Sequence, residues 1–562
     1  MKNVQPLGVT QALRLCPQIR RGLSWRLAAA AAGGCMVLAL ALASMPAQAQ
    51  PLPAPVVPPP RRTGQVSPEG DGQAATWVFA VDAPLSQWQL LEERLQALER
   101  EVRELRANAA AKTAQDAASL PGAASVPVPT PPSEPFAWGD FTWVNGSSRQ
   151  TTRLIDSKYF TPQLDIDLNY TYSFNHPIDN TLVGSTATAR HNELQVAFVG
   201  AGGDLHLGSV HARLILQYGT RSTAVSRSDL TANRGQFDLL SIYRYLGEAY
   251  VGYHFDKLRG INVDVGLFFS YVGLFSYTQF DNWGYQSSFT SDNTPWYFNG
   301  ARLQLFPTDR LKVELWLING WQSYGKFNEL PGFGYQLHYA PREWVKLVWN
   351  GYVGTDTQDH PGRVRFHSDN SLLIRYYNRP SARGLSRAAF SATFDIGFEE
   401  GDGVAAFRGS GSEGSCTNDT PCEQDFVSAM GYNILWFWRN RLSWMLGAGL
   451  IHNPGRYLVL VPTGIAATTF STSPGTQFDG WDVSSNVSVY PTENITFRLE
   501  VSHHETSVPY YAGPGGVTGP DGYKCGGLTS PDSVIASCAP AGWLPDLVKS
   551  ETKLIFALLF RL

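Results

Sequence analysis

Phe306-Pro307-Thr308-Asp309-Arg310-Leu311 and Tyr490-Pro491-Thr492-Glu493-Asn494-Ile495 read almost alike, and each joins two runs in which apolar and polar residues alternate. Proline pre-sets φ for the first corner of a type I turn, and Asp, Asn and Thr suit the remaining corners. Ala340-Pro341-Arg342-Glu343-Trp344 and Trp438-Arg439-Asn440-Arg441-Leu442 repeat the pattern. These are tight hairpins. The connections between them are long, polar and glycine-rich. A meander that alternates tight turns with long loops is the mark of a membrane β-barrel, with short turns in the periplasm and long loops outside.

Walking outward from the hairpins gives the strands. The clearest alternating runs are Asp165–Tyr172, Ile261–Leu267, Ala301–Phe306, Leu311–Leu317, Ile495–Val501 and Lys553–Leu562. Others start near Glu193, Ser209, Glu248, Gly332, Val345, His367, Arg387, Phe426, Leu442 and Asp479. Both chain ends belong in the periplasm, so the count must be even. Starting upward near residue 163 puts every tight turn on one side and every long connector, including both cysteine loops, on the other. The expected fold is all-β: a transmembrane, antiparallel, up-and-down barrel of about sixteen strands, with eighteen as the alternative. Phe141–Gly146 stays outside the wall on this count.

Composition agrees. Aromatics are 12% of residues, and glycine supplies 53 of 562. Mean hydropathy is slightly negative. After residue 50 no apolar run is long enough for a spanning helix; the best, Ile434–Leu450, is broken by Arg439, Asn440 and Arg441.

The first 49 residues read as a secretory leader. Lys2, Arg14, Arg20, Arg21 and Arg26 form the basic region, Leu27–Ala43 the apolar one, and Ala47-Gln48-Ala49 the cleavage site. An uncleaved anchor helix is the alternative. The leader holds five basic residues and no acid, so the remainder carries five fewer positive charges than the −4 of the whole chain, or −9. No basic patch for nucleic acid is present.

Residues 50–76 form a proline-rich linker. In 77–111, Trp88, Leu91, Leu95, Leu98, Val102 and Leu105 recur at alternating spacings of three and four. That is a coiled-coil seam, and Arg94 with Glu99 and Glu101 with Arg106 would attract across a parallel partner. A lone amphipathic helix is the alternative reading, since about three heptads are marginal alone. An Ala/Pro-rich tether over 112–135 precedes a barrel unit at 136–562.

Alternation also assigns the lumen. Asp165, Asp167, Arg302, Gln304, Lys312, Glu314, Gln336, His338, Arg498 and Glu500 are the candidate pore-lining residues. Tyr339, Trp344, Trp436, Trp438, Trp444 and Tyr490 are expected in the interfacial belts. In the last strand, Leu554, Phe556, Leu558, Phe560 and Leu562 share one face. This resembles the C-terminal signal read by the barrel-assembly machinery, with leucine where a terminal aromatic is usual.

Two features could carry chemistry. Cys16 and Cys35 leave with the leader; Cys416/Cys422 and Cys525/Cys538 are local pairs in an exported chain and read as disulfides. A metal site is the alternative, but no further ligand sits at the needed spacing. His503-His504-Glu505 is the best catalytic-looking cluster, with no nucleophile beside it in sequence.

Tyr271-Val272-Gly273, the aromatic-rich loop through Asn282-Trp283 to Pro295-Trp296-Tyr297, Gly300-Ala301-Arg302 and Leu317-Ile318-Asn319-Gly320-Trp321 resemble the β-barrel porin-2 (OmpL-like) family. The likeness covers most of residues 160–562. It implies an outer-membrane porin and supplies no catalytic residue. The expected function is passive diffusion of small hydrophilic solutes with weak cation preference, in a homotrimer held in outer-membrane lipid, without a cofactor. A barrel-based lipase or protease is the alternative, and an adhesin or structural anchor a third reading.

Peptide mapping without reductant should recover Cys416 joined to Cys422 and Cys525 joined to Cys538. Free thiols or crossed pairs would contradict the pairing.

Overall fold

The computed structural model describes residues 135–562 except 156, 227–228, 230, 232–233, 408, 410–415, 455–476 and 524–542. The leader, the linkers, the heptad seam from Trp88 to Leu105, and Cys525 and Cys538 lie outside the described residues.

Sixteen antiparallel strands close into one barrel. They are β1 (Phe160–Ser173), β2 (Glu193–Leu207), β3 (Val210–Tyr218) and β4 (Leu246–Phe255). Next come β5 (Ile261–Phe269), β6 (Tyr297–Thr308), β7 (Leu311–Ile318) and β8 (Gly332–Arg342). Then β9 (Val345–Gly354), β10 (Val364–Asn378), β11 (Leu385–Glu400) and β12 (Asp425–Phe437) follow. The wall ends with β13 (Leu442–Asn453), β14 (Phe478–Val489), β15 (Ile495–Thr506) and β16 (Ser550–Arg561). Each strand pairs with its sequence neighbours, and β1 closes the ring against β16, with Tyr170 opposite Phe556.

The even count expected from the turns holds. Short connections at residues 208–209, 256–260, 309–310, 343–344, 379–384, 438–441 and 490–494 share one end of the barrel. All the long ones share the other. Trp438, Arg439 and Asn440 have φ of 51°, 58° and 64°. Three successive left-handed residues reverse the chain within one tight connection. Among the described residues, three short α-helices lie in the long connections: α1 (Thr220–Ser226) and α2 (Leu239–Tyr243) between β3 and β4, and α3 (Phe289–Asn293) between β5 and β6. No described helix is long and apolar enough to cross a membrane.

Alternation sorts the faces as period-2 geometry requires. On β15, Leu499 and Val501 are 50% and 49% exposed, whereas Arg498 and Glu500 are 2% and 0% exposed. The outer face is therefore apolar, and the polar set points into the lumen. On β16, Lys553 and Arg561 point inward. Ile555, Ala557 and Leu559 also point inward and pack with Ala187, Phe280 and Tyr285. Two expected belt residues are corrected. Trp436 and Tyr490 are buried, Trp436 edge-on to Trp283 and Tyr490 hydrogen-bonded to Ser443. Parity puts them on the inner face. Tyr339, Trp344, Trp438 and Trp444 are exposed.

The lipid-facing assignment predicts depth dependence. Val501→Arg at mid-strand should cost about 2–4 kcal/mol, and Leu207→Arg beside a tight turn about 0–1 kcal/mol. Urea titration of folding into lipid vesicles measures both; equal costs would contradict the assignment.

Candidate functional site: a lumen filled from within

The connection between β5 and β6, residues 270–296, turns back into the barrel. Its length and aromatic content are the reason. Tyr271, Phe275, Tyr277, Phe280, Trp283, Tyr285, Phe289 and Trp296 are all buried, and such a loop would be costly in water. It meets apolar inward positions on the wall. Met430, Tyr432, Ile434, Trp436 and Met445 join Phe275, Trp283 and Trp296 in one cluster.

Inward polar groups then fix the loop. The two carboxylate oxygens of Glu500 accept the backbone N–H groups of Tyr285 and Gln286, each at 2.7 Å. Asp167 accepts the Tyr285 hydroxyl at 2.8 Å. Arg498 donates to the carbonyl of Asn282 at 2.7 Å, and Asn486 to that of Trp283 at 2.9 Å. Asp482 accepts Ser288 Oγ at 2.7 Å and the N–H of Phe289 at 3.2 Å. Lys553 donates to Gln286 at 3.0 Å. At the loop root, Gln336 donates to the carbonyl of Tyr271 at 2.9 Å.

A second segment enters from the short-turn end. Residues 135–149 precede β1 but lie against the inner wall, whereas 151–155 are exposed at the short-turn rim. Asp140 bridges Arg375 at 3.0 Å and Arg387 at 2.9 Å. Burial pushes the Asp140 carboxyl up, but hydrogen bonds from Thr142 and the charges of Arg387 and Arg375 outweigh it and hold the group below its ordinary range. Trp143 is fully buried, donates to the carbonyl of Glu343 at 3.0 Å, and accepts from the Trp283 indole at 3.1 Å. Asn145 accepts the N–H of Trp283 at 2.8 Å. Gly146 has φ of 74°, and a Cβ there would collide with the carbonyl of Leu274. Arg149 stacks 3.8 Å over Phe280; burial pulls its guanidinium down to about 10. The wall thus starts at Phe160, with Asp140, Trp143 and Asn145 held on its inner side and 151–155 exposed at the rim.

The ten candidate lumen residues divide by wall. Asp167, Gln336, Arg498 and Glu500 hold the loop. Asp165 pairs with Arg561, which also pairs with Asp281 of the loop at 2.6 Å. Arg302 pairs with Asp264 at 2.8 Å, beside His211 at 2.6 Å from the same carboxylate. Lys312 pairs with Glu314 at 2.7 Å, and Gln304 donates to Glu314 at 2.7 Å. His338 lies on the same inward face of β8. Arg302 and Lys312 keep 15% and 18% side-chain exposure. The short-turn half of the β3–β8 inner face therefore carries paired charges of both signs, partly accessible at Arg302 and Lys312.

His503-His504-Glu505 does not form one site. His503 hydrogen-bonds Thr552 and packs on the outward Trp481, while His504 points inward against Phe289 and Tyr511. Cys416 and Cys422 are joined in a disulfide, Cα atoms 5.3 Å apart. Near them Glu399 is engaged by Arg365 at 2.6 Å, which mutes one acid at the long-loop mouth. Among the described residues no three His, Cys, Asp or Glu side chains stand together as a metal set.

Comparison with known proteins adds a family. The family described as "Putative beta-barrel porin-2, OmpL-like" matches residues 160–522. No curated protein matches the chain. Among solved structures, it resembles OmpT of Vibrio cholerae at 8% identity and TM-score 0.41, covering 73% of this chain and 99% of that one. An anion-selective porin from Comamonas acidovorans gives 10% identity and TM-score 0.41, covering 72% and 99%. OprB of Pseudomonas putida gives 11% and 0.41, covering 72% and 94%.

Glu500→Ala strands two buried N–H groups, each at about 1–3 kcal/mol. Chymotrypsin should then cut at the loop aromatics in the folded variant but not in the wild type; equal resistance would contradict the anchoring role. Asp292 gives a pH test. Burial pushes its carboxyl up from 3.8 to about 6, against a hydrogen bond from Thr186. The docked loop holds that proton more tightly, so acid favours docking. The preference is full below 3.8 and is lost as pH rises through about 6. Loop mobility by spin label should rise between about pH 4 and 7, and flatten in Asp292→Asn.

Proposed function

The chain belongs to the β-barrel porin-2 (OmpL-like) family, and we propose that it is an outer-membrane porin through which small hydrophilic solutes diffuse. The observation that carries this reading is the inward loop 270–296 in a sixteen-stranded barrel with an apolar outer face. A barrel of this size encloses a wide lumen. A loop folded into it sets the narrowest section. Solutes pass along the charged strip of β3–β8, where the wall stays partly accessible at Arg302 and Lys312.

The short turns and residues 135–155 face the periplasm on this reading, and the long loops face outward. The helix over 77–111 extends into the periplasm and binds its counterparts in a trimer. The mouth carries Glu400, Asp402, Asp419 and Glu423 close to the Cys416–Cys422 disulfide, so it attracts cations at low salt. The strip carries both signs, so the preference is weak. An enzymatic reading loses its best support, because His503 and His504 lie on opposite faces.

Planar-bilayer recording tests the channel. Stepwise openings are expected, with a reversal potential of cationic sign in a KCl gradient. A sealed barrel would overturn the reading, and clear anion selectivity would move control to the inner strip. Deleting Leu85–Arg106 should weaken the crosslinked trimer and keep heat-modifiable migration of the barrel; loss of the barrel itself would contradict a purely associative helix.

A further inference from the structure

Asn350 on β9, Asp369 on β10, Asp395 on β11 and Ser428 on β12 stand in register, each the direct cross-strand partner of the next. They face the lumen and are sealed, 1%, 0%, 0% and 0% exposed. Directly opposed side chains start from Cβ atoms about 5 Å apart, so the two carboxyl groups meet. Asp369 Oδ2 accepts the N–H of Gly273, at the root of the inserted loop, and Asn350 Nδ2 at 3.3 Å. The two carboxyl groups lie within hydrogen-bond reach of each other, and otherwise both oxygens of Asp395, Oδ1 of Asp369, Oδ1 of Asn350 and Oγ of Ser428 have no hydrogen-bond partner.

The nearby basic groups do not resolve this. His367 Nε2 lies 3.7 Å from Asp395 Oδ2, and its ring stacks on Phe426. Arg365 is engaged by Asp356 at 2.9 Å and Glu399 at 2.6 Å. Two sealed carboxylates in contact repel unless a proton or a metal ion lies between them. A shared proton would use one oxygen from each and leave the Asn350 carbonyl and the Ser428 hydroxyl unmatched. A hard divalent cation would use every one of them, the carboxylates as ligands and the neutral oxygens as ligands or as holders of its water.

We propose that Asp369 and Asp395 bind a hard divalent cation of the calcium class, flanked by Asn350 and Ser428. The donors are hard oxygens, which favour calcium or magnesium over soft metals. Two carboxylates are a low ligand charge, which places the affinity toward the weak end of calcium sites, on the order of 10⁻⁴–10⁻³ M. Asn350 and Ser428, neutral and buried with unmatched oxygens, distinguish this row from a mere acidic cluster. Because Asp369 also holds Gly273, the ion would brace the loop root. The site exists whether or not the barrel conducts.

The test uses the full chain, folded in detergent and stripped with EDTA, then dialysed against radioactive calcium. One calcium per chain is expected, with a rise in melting temperature. Asp369→Asn and Asp395→Asn should each weaken binding at least about tenfold, and Ser428→Ala should weaken it measurably. Asp479→Asn, at an exposed carboxylate paired with His452 away from the row, should leave it unchanged. Heat-modifiable migration reports folding. If an Asn variant fails to fold, the wild-type calcium shift and Ser428→Ala decide. No calcium bound by the wild type, or binding unaffected by the folded variants, overturns the site. Stabilisation by acid without calcium binding also overturns it, in favour of a shared proton.

Discussion

Everything in this molecule depends on the pairing of β1 with β16. Within a hydrocarbon layer there is no water for an unpaired backbone N–H or C=O, so a sheet can cross only if it has no edge. The run from Asp165 opposite Arg561 to Ser173 opposite Lys553 removes both edges at once. Closure fixes an even strand count and thereby sorts turns from loops. It also fixes parity, and parity decides which side of each strand meets lipid. The apolar outer face and the charged inner face of β15 are two readings of that one constraint.

A closed wall of sixteen strands leaves an interior that must be hydrated, filled or both. Here one side is filled. Loop 270–296 brings aromatic rings against Met430, Tyr432 and Met445, and its backbone N–H groups reach the Glu500 carboxylate. The inner wall of β12–β16 thus behaves like a protein core with buried polar anchors. On β3–β7 the charges pair with one another instead, as in Arg302 with Asp264 and Lys312 with Glu314. Residues 135–149 add a second inner layer, tied by Asp140 to Arg375 and Arg387. The same inner surface therefore performs two tasks, holding a loop on one side and presenting alternating charge on the other.

The barrel was legible in the sequence because period-2 alternation and turn chemistry act locally. Pro307 and Pro491 mark short turns by their own φ, and Leu554 to Leu562 show their outer face without help from any neighbour. The loop insertion was not legible in the same way. Its signal was present in the aromatic run from Tyr271 to Trp296, too apolar for an exposed connector, and in the inward Ile555, Ala557 and Leu559. Those residues make sense only together, and their contacts join strands far apart in sequence. The roles of Glu500 and Arg498 were hidden for the same reason: alternation says that they point inward, and only the fold says what they meet. Trp436 and Tyr490 sit beside turns, yet strand parity and not nearness to a turn decides that they face inward.

The central claim is that residues 270–296 occupy the lumen and limit its passage. A built Cβ on Gly449 of β13 lies 3.1 Å from Cβ of Ser288 in the loop. That is a few tenths of an ångström shorter than the roughly 3.5–4.5 Å Cβ spacing of a disulfide, so a small outward shift brings the pair within bridging range. Ser288→Cys with Gly449→Cys, recorded in a planar bilayer under oxidant and then reductant, tests the claim directly. The account predicts that the crosslink forms in the folded barrel, holds conductance at a small constant value, and releases larger fluctuating openings on reduction. Failure to crosslink, with both cysteines reacting with a bulky membrane-impermeant maleimide, would contradict it.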